Sequence, residues 1–266
     1  MMEIITKLQK LINHPHIAVT ERGNSAIEAA FKTIPESKTL LIPEEGGWLS
    51  YEKLPKRLNI PFSKVKCDNA KINLNDLKEQ VKNAGMFIYQ NPGGYFAEQP
   101  MKEIYQICKE HGCLVVLDIS GSIGTELCDG DYADITVCSF GEWKLVEAKG
   151  GGCISAKDKT IFDLLKFEEL DEEEQLFAIE QHLDLLPKRI KFLQEKRQQV
   201  IKDLKDFQIV YPNDIGFVVV IKYSTDEEKE KIIQYCETNN LPHRPCPRYI
   251  RLQSKAISIE IKQLTE

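Results

Sequence analysis

Lys144 stands where a lysine can become reactive. The apolar run from Ile135 to Cys138 reads as a buried strand, followed by Ser139, a short turn and then Lys144. Gly150-Gly151-Gly152 makes a flexible return into a second strand-like run, Cys153 to Ala156. A lysine so placed faces the mouth of a sheet. Partly desolvated there, it can lower its pKa and form a Schiff base with an aldehyde cofactor. The competing reading is a solvated loop lysine.

Leu114-Val115-Val116-Leu117-Asp118 is a further apolar run ending in a carboxylate, with Ile119-Ser120-Gly121 after it. Residues at the carboxyl ends of parallel strands line the functional edge of an α/β sheet. A carboxylate at that edge suits the ring nitrogen of pyridoxal phosphate (PLP), whose protonated ring is an electron sink. The alternative is an aspartate capping the next helix. Upstream, Ile17-Ala18-Val19-Thr20 passes through Glu21-Arg22 into Gly23-Asn24-Ser25-Ala26-Ile27, a strand giving way to a helix. A phosphate at that helix start meets backbone N–H groups, the positive end of the helix dipole, and the side chains of Asn24 and Ser25.

Along the chain the order is phosphate cup, Asp118, Ser139 with Lys144, then glycines. This order resembles the fold-type I PLP enzymes, and the middle of the chain is most similar to the DegT/DnrJ/EryC1/StrS aminotransferase family. Gly23-Asn24-Ser25-Ala26-Ile27 stands where that family has Gly-Thr-Ala-Ala-Leu, Asp118 to Gly124 stands where it has Asp-x-Ala-x-x-x-Gly, with Ser120 at the alanine, and Ser139-Phe140-x-x-x-Lys144 matches its Schiff-base signature. Asn91-Pro92-Gly93-Gly94 is similar instead to the Asn-Pro-x-Gly of class I aminotransferases, whose asparagine bonds the cofactor's phenolic oxygen. Tyr249-Ile250-Arg251-Leu252 is similar to the strand that carries their substrate-carboxylate arginine. The resemblance runs from about Ala18 to Ala156 and more loosely beyond.

The resemblance implies a three-layer α/β/α large domain with a mainly parallel sheet, plus a small C-terminal α/β domain. It implies PLP as cofactor, with Lys144 and Asp118 catalytic. Gly23, Asn24, Ser25, Ala26, Trp48, Asn91, Ser120 and Ser139 are the implied cofactor contacts, with Arg251 for a substrate carboxylate. The implied reaction moves an amino group from an amino acid donor to a keto acid or keto-sugar in a two-fold homodimer. A PLP lyase, decarboxylase or aldolase, or a non-catalytic subunit of the same fold, stays open beside it. There are departures: the family's glutamine three residues after the ring aspartate is Gly121, and the class I phosphate arginine falls at Gly152. The stretch before the phosphate cup is short, which weakens any expectation of a nucleotide-sugar substrate.

Composition sets outer bounds. A chain of 266 residues with 42% hydrophobic content can bury a substantial core, and it reads as residues 1–165, an N-terminal helix and large domain, and 166–266, connecting helices and a small domain. The net charge of -6 with mixed lysine and glutamate leaves no basic face for nucleic acid. No apolar stretch approaches the roughly 20 residues that span a bilayer, and the start lacks a signal-peptide pattern, so the cytoplasm is the default. The eight cysteines include no Cys-x-x-Cys pair, and Cys113, Cys138 and Cys153 lie in or beside apolar runs as reduced core residues. Cys236, His243 and Cys246 lack a fourth ligand and fit no common zinc spacing, so no metal is expected. Cys246, between two prolines, is the candidate for a mobile desulfurase-type nucleophile, set against a structural role.

These residues need elements to hold them. Ile4, Ile5, Leu8, Leu11 and Ile12 have helical spacing, which predicts an amphipathic first helix packed on the small domain or a partner subunit. Between Ala18 and Ala156, strand-like runs alternate with helical stretches, the pattern of a mainly parallel sheet. From Lys159 to Lys205 long charged helices are expected, broken at Pro187. Strands near Phe217 to Ile221 and Ile257 to Ile261 surround a helix from Thr225 to Asn239. Trp48 and Tyr95 are candidate neighbours of the cofactor ring. Trp143 reads as wall, and His14 and His16 as surface residues.

Overall fold

The structure is a computed structural model that describes residues 1–265. Helix α1 (Met2–Ile12) buries Ile4, Leu8 and Ile12, one stripe of its sequence. That stripe packs against β1 (His16–Thr20) and the long helix Glu173–Asp203. Lys7 adds a 2.7 Å ion pair to Asp184 of the long helix. His14, expected at the surface, is buried between the Ser155 hydroxyl at 2.8 Å and the Gly130 carbonyl at 2.9 Å, and burial holds its imidazole below the ordinary histidine value.

The next elements are α2 (Gly23–Phe31), β2 (Thr39–Pro43), α3 (Ser50–Leu58) and β3 (Phe62–Val65). A short hairpin of β4 (Cys67–Asp68) and β5 (Lys71–Ile72) precedes α4 (Leu74–Gln80), β6 (Ala84–Gln90), α5 (Met101–Glu110) and β7 (Leu114–Asp118). Then come β8 (Ile135–Ser139) and β9 (Gly152–Ala156). The main sheet has the order β1-β9-β8-β7-β6-β2-β3. Every strand in it except β9 runs one way; β9 is antiparallel to both β8 and β1.

Side chains of the central strands divide by parity. Phe87, Tyr89, Val115 and Leu117 face a core shared with α1, α4, α5 and the long helix, while Met86, Ile88, Val116 and Val137 face a second core under α2 and α3. Burial on both faces is why these strands read as unbroken apolar runs. This is the three-layer α/β/α arrangement.

Helix α6 (Lys159–Leu164) leads to α7 (Glu173–Asp203). Helix α7 continues through Pro187. Leu183, Leu186, Ile190 and Leu193 are buried on both sides of the proline, and their packing offsets the hydrogen bond that the proline removes. After it come β10 (Gln208–Ile209), β11 (Val219–Lys222), α8 (Asp226–Thr238), β12 (His243–Cys246) and β13 (Ala256–Ile259). Thr225 and Glu228 form a reciprocal capping box at the start of α8. The four strands make an antiparallel sheet ordered β10-β11-β13-β12. Its Val219, Ile221, Ile257 and Ile259 join the core beneath α7, whereas Val218 and Val220 pack with Tyr95 and Phe96. Among the described residues no helix is long and apolar enough to cross a membrane.

Candidate active site

The carboxyl ends of the aligned strands meet at one edge. Asp118 ends β7, Ser139 ends β8, Gln90 ends β6, and α2 begins just beyond the end of β1. Between them opens a cleft of about 600 Å³ whose walls include Gly23, Asn24, Trp48, Tyr95, Asp118, Ser120, Ser139 and Lys144. Seven of those eight were nominated by sequence as site residues; Tyr95 was nominated as a ring neighbour.

At one end of the cleft lies the start of α2, where no side chain caps the helix. Its first N–H groups and dipole are therefore available to an anion. Gly23 is needed for this geometry, because a Cβ there would come 2.6 Å from Ser139 Cβ. Ser139 is fixed in turn by its N–H, which donates to the Ser120 hydroxyl at 2.9 Å. The Asn24 carboxamide oxygen accepts from the Trp48 indole at 3.0 Å and from the Ser50 hydroxyl at 2.9 Å. That leaves the Asn24 NH₂ for an incoming acceptor and sets the Trp48 ring at the cleft wall. Ser25 and Ala26 do not line the cleft: Ala26 is fully buried in the core under α2, and both backbone N–H groups donate to the Arg22 carbonyl. Arg22 and Lys149 do line it, two cations that the motif reading passed over because exposed charged residues carry no spacing signal.

Asp118 is buried at the centre. One carboxylate oxygen accepts from Tyr51 at 2.7 Å and the other from the Ser120 N–H at 2.9 Å. Tyr51, fully buried on α3, was not nominated from sequence; only the fold brings it to the end of β7.

Lys144 Nζ donates to the Tyr95 hydroxyl at 2.6 Å and stands 4.9 Å from the Trp48 ring centre. Burial works to lower the pKa of its ammonium, but Tyr95 and then Asp118 outweigh burial and leave it above the ordinary lysine value. The lysine is therefore held as an ammonium, not depressed by desolvation as the sequence reading had it. Burial likewise pushes the Tyr95 phenol up, with Lys144 pulling the other way. Tyr95 sits at a positive φ of 65°, a costly conformation for a tyrosine. Its carbonyl accepts from Phe217 at 2.8 Å and Val218 at 3.2 Å, so the lead-in to β11 holds the residue in place.

Two further nominated residues, Asn91 and Arg251, also stand off the cleft. Asn91 is fully buried; its carboxamide oxygen accepts from the Gln99 N–H at 3.0 Å, and its Nδ2 has no partner among the described residues. Arg251 is buried with its guanidinium already engaged. Nε meets Glu260 at 3.1 Å, a terminal nitrogen pairs with the same carboxylate, and the other meets the Ile250 carbonyl at 2.7 Å. The substrate-carboxylate role read from its sequence context is corrected, because both faces of the fork are spent inside the protein. Cys246 is buried on β12 and burial pushes its thiol up, which is unfavourable for a nucleophile.

The close Gly23–Ser139 cradle with its uncapped helix start, and the Lys144 amine and buried Asp118 carboxylate facing one cleft, fit a phosphorylated, ring-bearing aldehyde.

No curated protein sequence matches the chain. Among solved structures, serine palmitoyltransferase from S. paucimobilis with bound PLP and myriocin superposes with a TM-score of 0.75 at 14% identity, covering 99% of this chain and 72% of that one. 3-Amino-5-hydroxybenzoic acid synthase gives 0.73 at 14% identity, covering 98% and 85%. The apo cysteine desulfurase from Thermococcus onnurineus NA1 gives 0.67 at 11%, covering 97% and 78%. Such low identities show the shared fold. Residues 5–170, which hold every cleft residue described above from Gly23 to Lys149, match the DegT/DnrJ/EryC1/StrS aminotransferase family model. By that match the chain belongs to the DegT/DnrJ/EryC1/StrS aminotransferase family, whose cofactor is pyridoxal 5'-phosphate.

Proposed function

We propose that the chain is a PLP-dependent aminotransferase that moves an amino group from an amino acid donor to a keto acid or keto-sugar, with Lys144 as the residue that carries the cofactor. The observation behind this reading is the half-buried Lys144 ammonium, bonded to Tyr95 and facing Asp118 and the uncapped start of α2 across one cleft.

When bound, the cofactor supplies a cationic conjugated ring that accepts the electron pair released at a substrate carbon. The residues around it divide the remaining work. Gly23, Asn24 and Ser139 would hold the phosphate, with Arg22 and Lys149 adding positive charge at the rim. Asp118, fixed by Tyr51 and the Ser120 N–H, would keep the ring nitrogen protonated. Trp48 would cover a ring face and exclude water. Lys144 would take a proton from the substrate carbon and deliver it to the cofactor carbon, acting in turn as base and acid. Tyr95 would orient the amine and accept its hydrogen bond between transfers.

Fold-type I sites are completed by a second subunit, and a two-fold homodimer is part of the proposal. A lyase, decarboxylase or aldolase would use the same lysine and aspartate, and a desulfurase would need a mobile thiol that the buried Cys246 does not offer. A non-catalytic relic is disfavoured by the complete set of Lys144, Tyr95 and Asp118.

The test is the visible absorption spectrum of the purified protein with added PLP, before and after borohydride, beside Lys144→Ala. A band that reduction locks onto Lys144, and that the variant lacks, supports the reading. No band at saturating PLP would sink it. Amine transfer to a panel of keto acids and keto-sugars then separates transamination from release of carbon dioxide, sulfide or an aldehyde.

A further inference from the structure

Lys262 lies in the short 3-10 turn Ile261–Gln263 after β13, with only 6% of its surface exposed. Its Nζ has one hydrogen-bond partner among the described residues, the carbonyl of Trp143 at 3.4 Å, and forms no ion pair with any of them. A buried ammonium with spare donors and no carboxylate is costly to the fold. The carbonyl it touches belongs to the residue just before Lys144.

Three cations converge on the Tyr95 ring. Lys144 Nζ is 5.2 Å from its centre, the Arg251 guanidinium carbon 5.4 Å and Lys262 Nζ 4.9 Å. Two of the three are already committed. Lys144 donates to the Tyr95 hydroxyl, and Arg251 is neutralised by Glu260. Lys262 is the cation left over. At its other side the Trp143 indole, 46% exposed, has its ring centre 5.7 Å from the ammonium.

We propose that Lys262 is a subsite for an acidic group: its ammonium takes a carboxylate brought in beside Tyr95, and the substrate handled at Lys144 is a carboxylate-bearing amino or keto acid. The identity of the substrate rests on the reading of Lys144 as the cofactor lysine; the anion subsite does not. Arg251 cannot serve in its place, because its fork is filled by Glu260 and the Ile250 carbonyl.

Charge state gives the subsite a pH dependence. Burial first, then Arg251 and Lys144, bring Lys262 down to about 7, while Glu260 and Glu147 pull the other way. Its remaining neighbours are the phenol of Tyr95, which burial keeps neutral, and Arg189, which donates to the Lys262 carbonyl at 3.0 Å. Below its pKa Lys262 is charged and ready for a carboxylate. Above it, binding must draw a proton from solvent.

PLP-loaded protein titrated calorimetrically with succinate and with neutral succinamide tests this, in two buffers of different ionisation enthalpy, for wild type, Lys262→Met and Lys262→Arg. Wild type is expected to prefer succinate by tenfold or more, to weaken about tenfold from pH 6 to pH 8, and to take up close to one proton per succinate at pH 8. Lys262→Met should bind the two alike, and Lys262→Arg should keep the preference while losing the pH dependence. A Lys262→Met protein that still prefers succinate overturns the proposal. The visible band is recorded on every sample: its absence in wild type overturns the Lys144 reading alone, and the subsite is still decided by the Lys262→Met titration.

Discussion

Gly121 and Tyr95 share one space: a Cβ on residue 121 would lie 2.9 Å from Tyr95 Cδ1 and 3.0 Å from its Cε1. The departure from the family's glutamine thus makes room for a ring, and that ring brings its hydroxyl to Lys144. Gly121→Gln should drive the ring out, with a stability loss of about 1–3 kcal/mol from overpacking and a separate loss of PLP uptake. Denaturant unfolding and the visible band measure the two. A variant with parental stability and uptake would show that Tyr95 can retreat freely.

Tyr95→Phe removes the acceptor of the Lys144 ammonium. Tyr95 and Asp118 hold Lys144 above its ordinary value against burial, so losing the hydroxyl lets burial count for more and the pKa moves down. PLP reacts with the neutral amine, so the pH midpoint for cofactor capture should fall in the variant. The rate at which the visible band appears, followed against pH, reads this directly. No shift, or an upward one, would remove Tyr95 from control of the lysine.

Gly23→Ala places a Cβ 2.6 Å from Ser139 Cβ and 2.9 Å from its Cα. Neither atom is the end of a flexible side chain, so the start of α2 must back away from Ser139. PLP should bind on the order of tenfold more weakly, equivalent to about 1.4 kcal/mol, with the fold retained. Equilibrium titration with PLP and with inorganic phosphate checks this. Unchanged affinities for both would put the phosphate somewhere else.

Arg251 and Glu260 form a buried ion pair, and Arg251→Met should cost about 3–5 kcal/mol by leaving the carboxylate unpaired. Burial pushes the Glu260 carboxyl up, but Arg251, Lys262 and Ser258 together bring it below the ordinary glutamate value. A depressed folded-state pKa stabilises above the unfolded value and is lost as pH falls through the folded one. In the variant burial dominates, Glu260 rises, and the acid loss of stability should begin at higher pH. Tm followed from about pH 3 to about pH 7 separates the two proteins. Superimposable curves would mean that the pair contributes nothing to acid stability.

Much of this protein is written in short stretches of its sequence. The runs ending at Asp118 and Ser139 are legible because strands buried on both faces must be continuously apolar, and the Gly23 and Lys144 motifs because a strand-to-helix turn is set by a few neighbouring residues. Other features depended on packing between distant segments. The reversal of β9, the passage of α7 through Pro187 and the burial of His14 each follow from what packs around them, not from local preference. The pairings of Tyr51 with Asp118, Tyr95 with Lys144, and Arg251 with Glu260, and the approach of Lys262 to Tyr95, come from residues that no spacing rule links. The chain alone pointed to the lysine and the carboxylate that meet in the cleft. Tertiary structure decided which charges are neutralised and which are left free, since that depends on the partner that close packing brings within a few ångströms.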